Sequence, residues 1–238
     1  TIEVLDEANI ANIGAGADIT SATAPYMQEI NGVKIFAMGA DYIPEDSLFG
    51  RVSEQRTRRL LEDAASANHN SIRVWGGGYY PDDWFYDACD EAGLVIWAEI
   101  PFISVYSKDP AGHENCRSQM TELIYQNYNH PCICFWGISN EITIGGDSEE
   151  LVERLHDLNN LVHQLDPTRL TTMANVSMVP MDSKHNQITD VLSYNNYYGW
   201  YGGKFEDNEA WLDAFHKMHP DRAVGISEYG CEGIINWH

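Results

Sequence analysis

Two long apolar runs in this chain each end abruptly in an acidic residue. The first extends over residues 132–138 and leads through a Ser-Asn pair into Glu141, and the second extends over residues 223–226 and leads through Ser227 into Glu228. A strand that is covered on both faces has an unbroken hydrophobic sequence. The pattern therefore predicts two buried strands that each present a carboxylic acid where they end.

Strand and helix patterns alternate along the chain from about residue 33. The predicted strands cover residues 33–41, 71–75, 94–100, 132–140, 171–176, 191–197 and 223–227. The predicted helices cover residues 51–67, 81–92, 114–128, a segment from Ser148 to about Leu165, and 209–218. Ser53 and Ser148 are candidate N-caps, Gly93 ends a helix, and Asn31-Gly32 is typical of a tight turn. The alternation favours parallel βαβ units.

The strand count is one short of a closed barrel. Seven strands are countable from Val33, and no eighth follows Glu228. We predict an α/β fold, a (β/α)8 TIM barrel whose eighth strand is not evident, over residues 31–238, and we leave residues 1–30 as an unassigned N-terminal segment. A barrel without its last strand has two unpaired edges. Either residues 1–30 fill the gap or the chain is a piece of a longer protein.

Composition and charge limit the kinds of partner. The 238 residues carry 14 basic and 36 acidic side chains, and the net charge of -22 disfavours nucleic acid and anionic membranes as partners. We recognise no secretory signal and no apolar stretch of membrane-spanning length, although a signal could lie upstream of Thr1. None of the nine histidines falls in a usual zinc spacing and the five cysteines include no C-x-x-C pair, so we expect no metal and no cofactor.

The two strand-end glutamates suggest a chemistry. Residues at the carboxyl ends of parallel barrel strands open into one active-site face, and a pair of carboxyl groups is the minimum equipment for hydrolysing a glycosidic bond. A single strand-end glutamate is more often an ordinary solvated or ion-paired side chain. Two in matched settings favour the functional interpretation, and Asn140, next to Glu141, can hydrogen-bond a sugar hydroxyl.

Longer motifs around these residues resemble glycoside hydrolase family 2, which contains β-galactosidases, β-glucuronidases and β-mannosidases. The run from Asn129-His130-Pro131 through Trp136-Gly137-Ile138-Ser139-Asn140-Glu141 resembles the acid/base signature of the family, and Ser227-Glu228-Tyr229-Gly230 resembles its nucleophile motif. The likeness covers about residues 31–238. It implies a catalytic (β/α)8 barrel in which Glu141 is the acid/base and Glu228 the nucleophile. It further implies that Tyr197 lies near the nucleophile and that Arg73 hydrogen-bonds it.

The specificity markers of the family are mixed in this chain. The segments Gly39-Ala40-Asp41-Tyr42-Ile43-Pro44 and Arg73-Val74-Trp75-Gly76-Gly77-Gly78 resemble β-mannosidases. The run Asn196-Tyr197-Tyr198-Gly199-Trp200-Tyr201 and the region from Glu228 to His238 are more similar to bacterial β-galactosidases. No Asn-x-Lys motif of the kind that β-glucuronidases use for the substrate carboxylate occurs between Glu228 and His238. We expect Asp41, Trp200, Trp237 and His238 to contact the sugar.

The resulting prediction is a retaining exo-β-glycosidase that hydrolyses terminal non-reducing β-linked sugars by double displacement, with β-galactosides as the expected substrates. The alternatives are a β-mannosidase or β-glucuronidase of the same family, and a catalytically silent carbohydrate-binding barrel fragment. Family members usually carry β-sandwich domains ahead of the barrel, so we expect such domains of a longer parent chain as partners, together with the carbohydrate substrate.

Overall fold

The computed structural model describes residues 28–30 and 33–233. It begins with a short antiparallel hairpin of β1 (Gln28–Ile30) and β2 (Val33–Ile35), in which Ile30 pairs with Val33. The two connecting residues, predicted as a tight turn, lie outside the described residues, as do residues 1–27 and 234–238.

The prediction of one strand over residues 33–41 is wrong, because the chain leaves the hairpin before it enters the barrel. The side-chain amide of Asn70 accepts a hydrogen bond from the Met38 backbone N–H at 2.8 Å and donates to the Phe36 carbonyl at 2.9 Å. These bonds take backbone groups that a continuous strand would offer to a neighbouring strand. The barrel therefore begins only at β3 (Gly39–Tyr42).

The main sheet consists of seven parallel strands that neighbour one another in chain order. After β3 they are β4 (Ser71–Val74), β5 (Val95–Glu99), β6 (Ile133–Asn140), β7 (Leu170–Val176), β8 (Val191–Asn195) and β9 (Val224–Glu228). The helices between them are α1 (Glu54–Ser66), α2 (Asp83–Ala92), α3 (Pro110–Asn127), α4 (Glu149–Leu165) and α5 (Asp207–Met218). The strands form a nearly closed TIM barrel, as predicted, and no eighth barrel strand occurs within residues 33–233.

The helix boundaries follow local capping chemistry. Ser53 and Ser148 accept hydrogen bonds from backbone N–H groups at the starts of α1 and α4, and Gly93 ends α2 in the left-handed conformation at φ 68°. Helix α3 begins four residues earlier than predicted. Asp109 caps it by accepting from the Ala111 N–H, with proline in the first turn.

The apolar run before Glu141 is buried as its pattern predicts. The prediction of a buried strand before Glu228 is wrong, because β9 lies at the edge of the described sheet and its residues are only half-buried. All eight residues of β6 are buried, and Trp136 is fully enclosed, with its indole N–H donated to Asp166 at 2.9 Å. Asp166 precedes β7 and is also paired with Arg169 at 2.7 Å. This pair ties the amino-terminal side of the sheet together. Within the described ranges, no helix is both long and apolar enough to cross a membrane.

Candidate active site

Arg73 is the centre of a polar cluster at the carboxyl ends of the strands. Its side chain is 5% exposed, and its guanidinium donates to Glu99 from Nε and Nη2, to Asn140 Oδ1 at 2.7 Å and to Glu228 Oε1 at 2.8 Å. Asp41 Oδ1 lies 3.7 Å from Nη1. Burial alone would lower the pKa of Arg73, but the surrounding carboxylates raise it, so the arginine stays charged.

Glu228, the last residue of β9, is held by two donors. Arg73 binds one carboxylate oxygen, and the Tyr197 hydroxyl donates to Oε2 at 2.8 Å. Burial and the nearby carboxylate raise the pKa of Tyr197, so this hydroxyl keeps the proton that it donates. Each carboxylate oxygen of Glu228 therefore accepts a hydrogen bond, one from a guanidinium and one from a hydroxyl.

Glu141 follows β6 directly, in a strained backbone conformation. Its φ of 48° and ψ of 30° are left-handed, which is unfavourable for a residue with a side chain. Its N–H donates to the Ala174 carbonyl at 2.8 Å, and its carboxylate accepts from Asn195 Nδ2 at 2.9 Å. Burial raises the pKa of Glu141, and the charge of Glu228 adds to the increase against the opposing hydrogen bond from Asn195.

Two amides connect these groups. Asn195 accepts from Ser227 Oγ at 2.7 Å, which orients its NH2 group toward Glu141. The side-chain oxygen of Asn140 accepts from both Arg73 and Asn195, at 2.7 and 3.2 Å. The orientation of Asn140 is therefore fixed by the protein.

Asp41, at the end of β3, lies beside the same arginine but is less well compensated. Burial raises its pKa to about 7, and the charges of Glu228 and Glu99 act in the same direction, while Arg73 lowers it. One guanidinium thus lies beside three carboxyl groups, those of Asp41, Glu99 and Glu228.

A cavity of about 560 Å³ opens beside the two glutamates. It is lined by Glu141, Val176, Ser177, Asn195, Tyr197, Tyr198, Tyr201, Gly202, Gly203 and Glu228. Trp200, which was predicted to contact the sugar, does not line this cavity. It is 39% exposed, and its ring lies 6.2 Å from that of Tyr201. Trp237 and His238 lie outside the described residues. The structure thus gathers Asp41, Arg73, Asn140, Glu141, Tyr197 and Glu228 in one region.

Sequence reasoning overlooked three polar residues of this region. They are Glu99, which binds Arg73, Asn195, which binds Glu141, and Ser227, which orients Asn195. Each lies at the carboxyl end of a barrel strand, the same signal that identified Glu141. Applied to every predicted strand, that signal would have found Glu99 and Ser227 but not Asn195, because the strand predicted over residues 191–197 ends at Asn195 in the structure.

One group of possible metal ligands occurs in the part of the chain that the structure describes. It consists of Asp87 and Asp90 of α2 and His130, which lies just before the amino end of β6, whereas Glu141 follows the carboxyl end of that strand. Asp90 already accepts from the Cys132 N–H at 2.8 Å and contacts His130 Nδ1 at 2.7 Å. These contacts attach helix α2 to the start of β6.

The two glutamates differ in environment, which is what acid/base chemistry by a carboxylate pair requires. Glu228 receives two donors that favour its anion, whereas burial raises the pKa of Glu141 and favours its protonated form. A parallel barrel with such a pair at its carboxyl-terminal face has the architecture of barrel enzymes that act on glycosidic bonds. Residues 26–236 match the family described as "Glycosyl hydrolases family 2, TIM barrel domain", and the chain belongs to this family.

Several proteins of this family are similar to the chain. A β-glucuronidase of Bacteroides fragilis is 41% identical over 188 residues, which are 76% of this chain and 26% of that protein. A β-mannosidase of Rattus norvegicus is 39% identical over 48% of this chain and 13% of its own length. The crystal structure of an FMN-binding β-glucuronidase from Facaelibacterium prausnitzii L2-6 matches with a TM-score of 0.82 and 50% identity, covering 89% of this chain and 33% of the other.

The chain spans about a quarter of the length of the curated β-glucuronidases that it matches. A putative β-galactosidase from Bacteroides fragilis is also similar in structure, with a TM-score of 0.75 at 29% identity. The assignment to family 2 is confirmed. The prediction of β-galactosides receives less support than the alternative, because the more similar relatives are named for glucuronides and mannosides.

Proposed function

We propose that this protein hydrolyses terminal non-reducing β-linked sugars with retention of configuration. Glu228 attacks the anomeric carbon while Glu141 donates its proton to the glycosidic oxygen. The glycosidic bond breaks, the alcohol leaves, and the sugar remains as a glycosyl ester of Glu228. Glu141, now ionised, takes a proton from water, and the water oxygen attacks the anomeric carbon to release the sugar and free Glu228.

The observation that carries this proposal is the different environment of two glutamates that line one cavity. Arg73 and Tyr197 hold Glu228 as an anion suited to attack. Burial favours a proton on Glu141 before the first step. When Glu228 becomes an ester, its negative charge disappears, and the pKa of Glu141 falls because one of the causes that raise it is removed. Glu141 then acts as a base.

Asn140 and Asp41 are proposed to bind the sugar. The protein donors that bind the Asn140 oxygen leave its NH2 group for a hydroxyl next to the reacting carbon. Asp41 offers a carboxyl group at the edge of the same cluster. We retain Trp200, Trp237 and His238 as candidate residues that contact the sugar, with Tyr201 added because it lines the cavity.

For the sugar itself, we propose a β-glucuronide first and a β-mannoside second, on the similarity of the relatives. The two substrates make different electrostatic demands. A glucuronide carries a carboxylate that needs a cation, and none of the described residues that line the cavity is basic. A glucuronide would therefore take its cation from a residue outside this lining, whereas a neutral mannoside or galactoside needs none.

Covalent trapping tests the function. The purified full-length protein is incubated with activated 2-deoxy-2-fluoro β-glucuronyl, β-mannosyl and β-galactosyl donors, and its intact mass and peptide map are measured. An adduct on Glu228 from one donor would establish the nucleophile, the retaining mechanism and the sugar together. A folded protein that forms no adduct with any donor would refute the proposal and favour the silent carbohydrate-binding barrel.

The β-sandwich domains expected ahead of the barrel are part of the proposal, since domains outside the barrel can complete a substrate pocket. Trapping yields for the full-length protein and for the 238-residue chain would measure their contribution. Equal yields would show that the barrel acts alone.

A further inference from the structure

Glu99, the last residue of β5, is an ionisable side chain that the proposed reaction does not use. Its side chain is fully buried and all its hydrogen-bond partners are donors. Arg73 Nη2 lies 3.0 Å from Oε1 and 3.1 Å from Oε2, Arg73 Nε lies 3.2 Å from Oε2, and the Gly76 N–H donates to Oε1 at 3.0 Å. Burial raises the pKa of Glu99, and the hydrogen bonds from Arg73 and Gly76 act against that increase.

The space around Glu99 depends on two glycines. A Cβ atom at Gly76 would lie 2.7 Å from Glu99 Oε1 and 2.5 Å from the Ile100 carbonyl oxygen. A Cβ atom at Gly137 would lie 2.2 Å from Trp97 Nε1 and 2.8 Å from the Glu99 side chain. No side chain larger than hydrogen fits at either place without displacing Glu99 or its surroundings.

The same arrangement immobilises the guanidinium of Arg73. Glu99 holds Nε and Nη2, Asn140 accepts from Nη2, and the Trp97 ring lies against the guanidinium carbon at 4.6 Å. Only Nη1 is left to face the nucleophile Glu228. Glu99 itself makes no contact with Glu228 among the described hydrogen bonds.

We propose that Glu99 is a positioning residue for the proposed reaction, which acts through Arg73: it fixes the nitrogen that binds Glu228 and balances part of the arginine charge. The inference rests on the proposed role of Glu228 as nucleophile. An arginine shared between two carboxylates binds each less tightly than it would bind one alone. Sharing Arg73 with Glu99 therefore weakens its hold on Glu228, which leaves the Glu228 carboxylate a better nucleophile.

The charge environment gives the direction of the effect. The ionisable groups that face this cluster are Asp41 from β3, Arg73 from β4, Glu228 from β9, and Glu141 and Tyr197 from the loops after β6 and β8. In Glu99→Gln, Arg73 loses its principal counter-charge and acts more strongly on the remaining acids. Both carboxyl groups of the proposed pair then ionise at lower pH, so both limbs of the pH profile of kcat/KM move toward acid.

The experiment compares four forms of the full-length protein, each assayed with an aryl glycoside of the sugar that labels the wild type. In Glu99→Gln we expect both limbs to move by about 0.5 to 1 pH unit and kcat/KM to fall on the order of 10-fold. Glu99→Asp keeps the charge but shortens the reach to Arg73. We expect both limbs of the pH profile of Glu99→Asp to stay within about 0.2 pH units of those of wild type, while its kcat falls.

Asp166→Asn is the matched control. Asp166 is also a buried carboxylate bound to an arginine, but it lies at the amino-terminal side of the sheet. Its variant should be less stable without any movement of the pH profile. A Glu99→Gln profile that coincides with that of Asp166→Asn would overturn the inference and leave Glu99 a structural residue. If Glu99→Gln does not fold, a Glu99→Asp variant with wild-type kcat would overturn it.

The trapping experiment separates this failure from that of the function. If wild type forms no adduct on Glu228, the proposed function fails. If the adduct forms and the profiles of the Glu99 variants do not move, only the role of Glu99 fails.

Discussion

Arg73 Nη1 and Glu228 Oε1 lie 2.8 Å apart although 155 positions separate the residues in the chain. Arg73 belongs to β4 and Glu228 to β9, and four strands lie between them in the sheet. The ion pair therefore crosses the barrel interior. It connects the proposed nucleophile, on the half-buried edge strand β9, to the more deeply buried strand β4.

Tyr197→Phe should move the acid limb of kcat/KM to higher pH. The change removes the hydroxyl that donates to Glu228 Oε2 at 2.8 Å, so the anion loses one of its two donors. We expect a shift of about 0.5 to 1 unit and a fall in kcat/KM on the order of 10-fold, both measured with an aryl glycoside. Tyr201→Phe, which keeps the neighbouring ring, is the control and should leave the limb in place. A Tyr197→Phe limb at the wild-type position would contradict the proposed contact.

Glu141→Gly should be more stable than Glu141→Ala. Both variants remove the carboxyl group, so the comparison isolates the left-handed backbone at φ 48°. Glycine adopts this conformation without a steric penalty, and we expect a difference of about 1 kcal/mol in the free energy of unfolding, measured by urea titration. Equal stabilities would mean that the backbone at this position relaxes when the carboxylate is removed.

The stability of Asp41→Asn relative to wild type should increase as the pH rises. The pKa of Asp41 in the folded state, about 7, is above its ordinary value of 3.8. The folded protein therefore binds this proton more tightly than the unfolded chain does. The stability that this proton contributes is fully present below pH 3.8 and is lost as the pH rises toward 7. Asparagine does not titrate.

Urea unfolding at pH 4.5 and at pH 7.5 tests this expectation. The free energy of unfolding of the variant minus that of wild type should be larger at pH 7.5 than at pH 4.5. The exposed Asp182→Asn controls for the change in net charge. A difference that is the same at both pH values would be the contrary result.

Asp166→Asn should destabilise the protein at neutral pH. Burial alone would raise the pKa of Asp166, but hydrogen bonds from Thr168, Arg169 and Trp136 together lower it to about 2. The corresponding stability is present above the ordinary pKa of 3.8 and is lost as the pH falls toward 2. We expect a loss on the order of 2 kcal/mol at pH 7, and a smaller difference near pH 3, by chemical denaturation. If the difference in stability between Asp166→Asn and wild type did not change with pH, the loss would come from packing and not from the charge of Asp166.

The sequence by itself determined the elements and their type. The apolar run of β6, the caps Ser53 and Ser148 and the glycine after α2 act through residues close in the chain, so their consequences can be predicted locally. The partial burial of β9 instead reflects its place at the edge of the described sheet. The same signals placed Glu141 and Glu228 at strand ends. Even the missed start of α3 has a local signal in Asp109 followed by proline.

Only the tertiary structure decided which strand ends share a site and how they are charged. The interruption after β2 depends on Asn70, which is distant in sequence from the backbone that it binds. The bonds from Arg73 to Glu99 and Glu228 and from Asn195 to Glu141 depend on strand register and barrel curvature. The pKa of a carboxyl group likewise depends on burial and on charges brought near by folding, which have no counterpart in local sequence.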